Sequence, residues 1–548
     1  LETSESVPGA ASRPLTQAFP AGAGRLDPYR VVSWLGLAAI VALFILVRND
    51  VGITFDEELQ VRYGRRILAW YASGFRDARA LFFGGVLVYY GGLFDALAQI
   101  AVRFSPMAPF ATRHVASGLC AVLGIVASWK MATRLGGSRA GLIAGSLLAL
   151  TPAWIGHGMF NPKDIPFGAA AAWATYGMLC IATGPVVPTW STVCLCGVSI
   201  GAALGVRPGG MFLLAYPVLA ALARAWVALR ASGGAGSWQL HSPGWRQTGW
   251  RLCVGSAMAW LGMLIAWPWA QLSPVLRPLQ AALAASHFSW RGKMLFAGRL
   301  IESTALPHSY LPTWFAVTLP ETYAITLLCA IPLLWMAARR RRSGLQVLGV
   351  ACLVSAVLLP LAGVLATQPV LYDGHRHFLF VLPPMAALAG YAFSEFLAEA
   401  SLPATVRGAA LLGLVALAKL VVWDMAAMHP YEYAYFNRLS GGLAAAQTRF
   451  ETDYWGASYS EGIAWVVEHV SPLPDRPLMV ASCNIPEELN YFLEQSHESP
   501  RLFQLESNPV YADIFLASTR SDCHKTAGEV LHVVERMGVP LLYVIRRR

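Results

Sequence analysis

Charge is scarce in this sequence. Asp, Glu, Lys and Arg make up 13% of its 548 residues, while 56% are hydrophobic; soluble globular domains carry about 25% charge. That balance excludes an ordinary solvated domain and identifies a polytopic membrane protein. A basic face interleaved with aromatics is also missing, so the net charge of +10 is not that of a nucleic-acid binder. Residues 1–30 lack an apolar run followed by a small-residue cleavage site. The reading there is a disordered cytoplasmic tail without a cleavable signal peptide. No internal repeat is evident, which weakens a transporter built from inverted repeats. The histidines lack a spaced set of partner ligands, so no metal site is expected. No cofactor is called for, and a divalent metal finds no support. Of the nine cysteines, Cys120, Cys180, Cys194, Cys196, Cys253, Cys329 and Cys352 sit in apolar runs, as small buried hydrophobes do. Cys483 and Cys523 stand apart in the polar C-terminal region. They could pair as a disulfide if that region is extracytoplasmic.

What is abundant is apolar sequence in bilayer-length runs. About eleven segments of roughly 20 residues read as spans: 31–47, 114–132, 140–158, 165–183, 190–206, 209–229, 252–270, 320–338, 345–366, 378–397 and 408–423. Nineteen Trp and nineteen Tyr suit two interfacial belts. Arg25 and Arg30, then Lys130, Arg134 and Arg139, then Arg224, Arg230, Arg246 and Arg251, and finally the run at 339–342 occupy alternate connections. Taken as cytoplasmic by the positive-inside rule, they place 48–113, 159–164, the turn at 207, 271–319, 367–377 and everything after 424 on the opposite face. The stretch 86–104 is apolar but holds Asp95 and Gln99; it reads as a helix lying on or dipping into that outer surface. Beyond Trp423 the pattern changes. Residues 424–548 read as a small extracytoplasmic α/β domain. Strands are expected in "PLMVASC", "YADIFLAS" and "PLLYVIRR", and helices in "SEGIAWVVEHV", "PEELNYFLEQ" and "AGEVLHVVERMG".

With this orientation, acids and bases converge on the outer face of an apolar bundle, where ionisable groups are costly and tend to mark sites. Asp56-Glu57-Glu58 in the first external loop, 48–113, could serve general-base chemistry, or simply favour a helix N-terminus. Asp164, in "FNPKDIPF", starts a span and has the same two readings. Arg207 lies between two apolar segments, either as a snorkelling anchor or as a ligand for a lipid phosphate. His287, Arg291 and Lys293 could share that anionic load, and so could Arg376 in "LYDGHRHF". The bland reading of each is a solvated loop charge or an interface anchor.

The order of these motifs resembles the GT-C membrane glycosyltransferases that use polyprenyl-phosphate sugars. It is most like glycosyltransferase family 39, which includes protein O-mannosyltransferases and the lipid A aminoarabinose transferase. "TFDEELQVRYGRRILAWYASG" looks like the family's Asp-Glu pair and following amphipathic helix. "NPKDIPF" is similar to its second acidic motif, and "VRPGG" to its basic turn. "PHSYLPTWFAVTLPE" and "HRHFLFVLPPMAALAG" resemble later segments, and the likeness runs over about residues 30–460. It implies a transmembrane catalytic module over 31–423 and transfer of a hexosyl or pentosyl unit from a polyprenyl-phosphate donor to a hydroxyl of a glycan, lipid or protein acceptor. Asp56 would be the general base, with Glu57 and Asp164 as further carboxylates of the catalytic site, Asp164 binding sugar hydroxyls or positioning the neighbours of Asp56. Arg207, His287, Arg291, Lys293 and Arg376 would bind the donor phosphate. The implied setting is a bacterial inner membrane, with the N-terminus cytoplasmic and the C-terminal domain periplasmic. The family's better-known members do not share the C-terminal domain. A flippase of lipid-linked precursors is the alternative class, and a non-catalytic scaffold a third.

Overall fold

The computed structural model describes residues 27–231, 243–286, 291–337, 344–471, 473–483, 503–505 and 511–547. A mainly helical bundle fills most of it. Among the described residues, eight helices are long and apolar enough to cross a membrane. A pair bent by 101° at Tyr310–Thr318 and Glu321–Ile331 makes up to nine. The expected eleven is not reached by that measure, for two reasons. The segment 114–132 and the first half of 140–158 share one helical assignment, Pro109–Ala149, broken at Gly137, and the rest of 140–158 lies in a short helix, Pro152–Phe160. The segment 190–206 forms a helix of only 15 residues, Trp190–Leu204. At Gly137 φ is +77°, a left-handed conformation that glycine adopts without a Cβ penalty. There the chain doubles back: Trp154 in the next helix donates to Ala121 O at 3.1 Å.

Composition decides which helices lie inside. The best window of Pro28–Leu46 is 17% buried, whereas that of Asp164–Thr183 is 78% buried. The outer helix presents Trp34, Leu35 and Leu46 outward, as a lipid-facing surface requires. The inner helix is rich in Ala and Gly, and small residues let neighbouring helices approach closely. Gly390 shows how closely: a Cβ there would come within 2.5 Å of Ala144 N.

The helix Pro28–Leu46 begins inside the stretch read as a tail, capped by Asp27, which accepts from Tyr29 N at 3.0 Å. Residues 1–26 of that tail lie outside the described residues. The segment 86–104 becomes a short 3-10 turn and an amphipathic 12-residue helix, Leu93–Phe104. That helix buries Phe94, Asp95, Ala98 and Gln99 and exposes Leu97, Ile100 and Phe104. Leu93 N donates to Gly205 O at 2.9 Å and Gly92 N to Ala266 O at 3.1 Å, tying the first loop to the bundle.

The C-terminal region holds a five-stranded sheet of order β4-β3-β5-β7-β6, with β3 (Leu478–Ser482), β4 (Phe503–Leu505), β5 (Ile514–Ser518), β6 (Glu529–Arg536) and β7 (Val539–Arg546). β1 and β2 form a separate hairpin, Lys293–Phe296 with Arg299–Glu302. β3 is parallel to β4 and β5, while β7 is antiparallel to β5 and β6. The expected strands at 477–483, 511–518 and 540–547 correspond to β3, β5 and β7. "SEGIAWVVEHV" is helical over Tyr459–His469. The expected helix "AGEVLHVVERMG" is instead β6. Met537 and Gly538 both have positive φ, +50° and +73°, the signature of a two-residue hairpin turn. The valines before it are β-branched residues suited to a strand. "PEELNYFLEQ" lies outside the described residues. Cys483, just after β3, is joined to Cys523 by a disulfide across a Cα–Cα distance of 6.4 Å.

Candidate functional site

Three chain segments far apart in sequence meet at the end of the bundle where the helix Asp164–Thr183 starts. Asn161 sets that start, accepting from Asp164 N at 2.8 Å and donating to Asp164 Oδ2 at 2.9 Å. The Asp164 carboxylate is buried and shared by two arginines. Arg207, from the turn after Trp190–Leu204, pairs with Oδ1; Arg376 pairs with Oδ2 at 3.2 Å. Arg376 is 4% exposed and also reaches Asp373 Oδ2 at 3.1 Å. It lies over the rings of Tyr372 and Trp455, at 4.9 and 4.8 Å. Asp373 and Gly374 both have positive φ, so this tight turn folds Asp373 back toward Arg376. The Nε atoms of Arg207 and Arg376 are buried without a hydrogen-bond partner among the described residues. Buried donors are rarely left so, and two converging guanidinium groups are suited to an anion.

Beside this pair stands Asp56. It precedes the helix Glu57–Ala72 and pairs with Lys163 Nζ at 3.6 Å, with about a third of its side chain exposed (34%). Burial pushes its carboxyl up, but Lys163, Arg376 and Arg207 outweigh this and hold it below the ordinary value. It is therefore ionised at neutral pH, the form a general base needs. Lys163 and Arg207 both lie over the ring of Tyr90, at 5.2 and 5.8 Å.

Glu57 is differently placed. Its Oε2 accepts from Thr54 N at 2.9 Å and Thr54 Oγ1 at 3.1 Å, and its Oε1 bonds His114 at 3.0 Å. These bonds tie Glu57 back to Thr54 and across to His114, so this acid is committed to holding the loop that presents Asp56. Arg291 and Lys293 are exposed, Lys293 at the start of β1 and Arg291 two residues before it, and neither joins the buried ion pairs made by Arg207 and Arg376. His287 lies outside the described residues.

Sequence reading did not assign Asp373, Lys163, Asn161, Glu451 or Arg520 to the site. Asp373 lay in plain view in "LYDGHRHF", where Asp-Gly signals a tight turn. Arg520 had no signal, because its partner Asp373 is 147 residues away. Glu451, within 4.0 Å of Arg520, is pushed up to about 7 by burial, against the pull of Arg520. Among the described residues no group of three or more His, Cys, Asp or Glu could hold a metal ion.

No curated protein matches the sequence. Among solved structures, ArnT from Cupriavidus metallidurans in the apo state aligns over 95% of this chain and 98% of its own, at 14% identity and a TM-score of 0.49. The same protein bound to undecaprenyl phosphate aligns over 95% and 99%, at 16% and 0.46. The Archaeoglobus fulgidus oligosaccharyltransferase in its apo form aligns over 88% and 66%, at 14% and 0.46. Residues 109–233 match the family described as dolichyl-phosphate-mannose-protein mannosyltransferase. That segment contains Asp164 and Arg207.

Proposed function

We propose that this protein transfers one sugar from a polyprenyl-phosphate donor to an acceptor hydroxyl, at the extracytoplasmic end of its bundle. The observation that carries the reading is the convergence of Arg207 and Arg376 on Asp164, with unpartnered buried Nε atoms, beside the ionised and partly exposed Asp56. The acceptor oxygen attacks the anomeric carbon and loses its proton to Asp56. The bond from that carbon to the phosphate oxygen breaks, and the electron pair leaves with polyprenyl phosphate. Arg207 and Arg376 stabilise the charge that develops there. Asp164 holds the two guanidinium groups in place, and Glu57 holds the loop of Asp56. The side assignment rests on Lys130, Arg134, Arg139, Arg224 and Arg251, which lie toward the other end and favour the cytoplasm. An apolar cavity of about 890 Å³, lined by Phe315, Leu319, Tyr323, Val354 and Met385 among others, suits the isoprenoid tail. Phe315 packs on the ring of His375 at 4.9 Å, next to Arg376.

The test is to incubate the detergent-purified protein with a panel of polyprenyl-phosphate hexoses and pentoses and candidate acceptors. Release of polyprenyl phosphate that disappears in Asp56→Asn supports the reading. Equal release by the variant removes Asp56 from the role of base.

A further inference from the structure

Arg520, beside the C-terminal sheet, reaches into this site. Arg520 opens the short 3-10 helix Arg520–Lys525 that follows β5. It donates to Asp373 Oδ1 at 2.7 Å and to the backbone oxygen of Tyr454, and it lies over the ring of Phe55, the neighbour of Asp56, at 5.7 Å. Both members of the pair are well buried: the Arg520 side chain is 12% exposed and that of Asp373 4%. An unbroken chain of ion pairs therefore runs Arg520–Asp373–Arg376–Asp164–Arg207.

We propose that Arg520 is a positioning residue of the site: by neutralising Asp373 it leaves the Arg376 guanidinium available to an anionic ligand. Arg376 stands between two carboxylates, Asp164 and Asp373. With Arg520 in place, one of those carboxylates already has its own cation. Without it, Asp373 would hold Arg376 as its sole charged partner, and an incoming phosphate would compete with two buried carboxylates for one guanidinium. The sheet region is on this account part of the site's electrostatics. Its disulfide, Cys483–Cys523, anchors the same 3-10 helix that carries Arg520.

The identity of the anion rests on the proposed function, so the test has two readouts on the same four proteins: wild type, Arg520→Gln, Asp373→Asn and the double variant. The first readout is the unfolding temperature in detergent without ligand. Arg520→Gln takes one of its two cations from the buried Asp373 carboxylate, so it is expected to destabilise, and adding Asp373→Asn is expected to recover much of the loss. A double variant no more stable than Arg520→Gln overturns the proposal, whatever the protein binds. The second readout is the affinity for undecaprenyl phosphate. Arg520→Gln is expected to bind about tenfold more weakly. The double variant, which restores the net charge, is expected to return to within about threefold of wild type. Loss of affinity that Asp373→Asn does not rescue overturns the proposal, because a merely structural docking contact would behave that way. A wild-type protein that binds no polyprenyl phosphate, with the stability rescue intact, overturns the transferase reading and supports the positioning role of Arg520.

Discussion

The two ends of the helical bundle use arginine in opposite ways. At the end where Asp164 starts its helix, Arg113, Arg207 and Arg376 each face a carboxylate: Asp95 at 2.8 Å, Asp164, and Asp164 with Asp373. At the other end, four arginines donate to oxygens that carry no formal charge. Arg134 bonds Thr183 Oγ1 at 2.7 Å, Arg139 bonds Ser394 O at 2.7 Å, Arg224 bonds Gly184 O at 3.1 Å and Arg251 bonds Pro188 O at 2.5 Å. Arginines of the second kind keep their whole charge, which suits residues that fix orientation in a membrane. Those of the first kind give up most of their charge to a buried framework. The framework orients them and leaves some donors unpaired among the described residues: the Nε atoms of Arg113, Arg207 and Arg376 and Nη1 of Arg113. Breaking a buried pair is costly because the surviving charge is stranded, whereas losing a bond to a carbonyl costs little.

That contrast can be tested by removing one group at a time. Asp164→Asn should have the largest effect. Two buried guanidinium groups lose their shared counter-charge, so stability should fall by about 3–5 kcal/mol and turnover should vanish; chemical unfolding in detergent and the donor assay check both. Asp56→Asn should separate chemistry from architecture, lowering turnover by roughly 10²–10⁴-fold with the unfolding temperature nearly unchanged, since Asp56 is partly exposed and its partner Lys163 is 3.6 Å away. Glu451→Gln should act through pH. Its folded value of about 7 lies above the ordinary 4.5, so the folded state holds the proton more tightly. The resulting stability is complete below about pH 4.5 and is lost as pH rises through about 7. The variant should flatten that decline in unfolding temperature between these pH values. Arg139→Gln, at the other end, should be mildest, within about 1 kcal/mol and with turnover retained. A loss as large as that of Asp164→Asn would erase the distinction between the ends.

Much of the architecture was legible because it follows from one-dimensional pattern. Bilayer-length apolar runs, basic loops in alternation and the strands at 477–483, 511–518 and 540–547 are local features. Where local patterns compete, reading failed: "EVLHVVER" alternates poorly, and the two positive-φ residues at Met537 and Gly538 that make it a hairpin strand carry only a weak signal, since methionine is uncommon there. Helix counting also depended on a bend at Gly137 that hydropathy alone does not show.

The candidate site divides along the same line. Asp56, Asp164, Arg207 and Arg376 stand out in sequence because each is an ionisable residue beside an apolar run, and such residues are costly unless used. Arg520 sits in a polar region, where an arginine is unremarked, and Glu57 looks like Asp56 until its hydrogen bonds to Thr54 and His114 are seen. The amino-acid sequence by itself determined that this is a membrane protein, which segments are apolar, and that acids and bases gather between them. Tertiary structure decided which acid stays partly exposed, which is spent on holding a loop, and which arginines share a carboxylate. Ion pairing in a low-dielectric interior falls steeply with separation, and separations between residues 147 positions apart are set by folding alone.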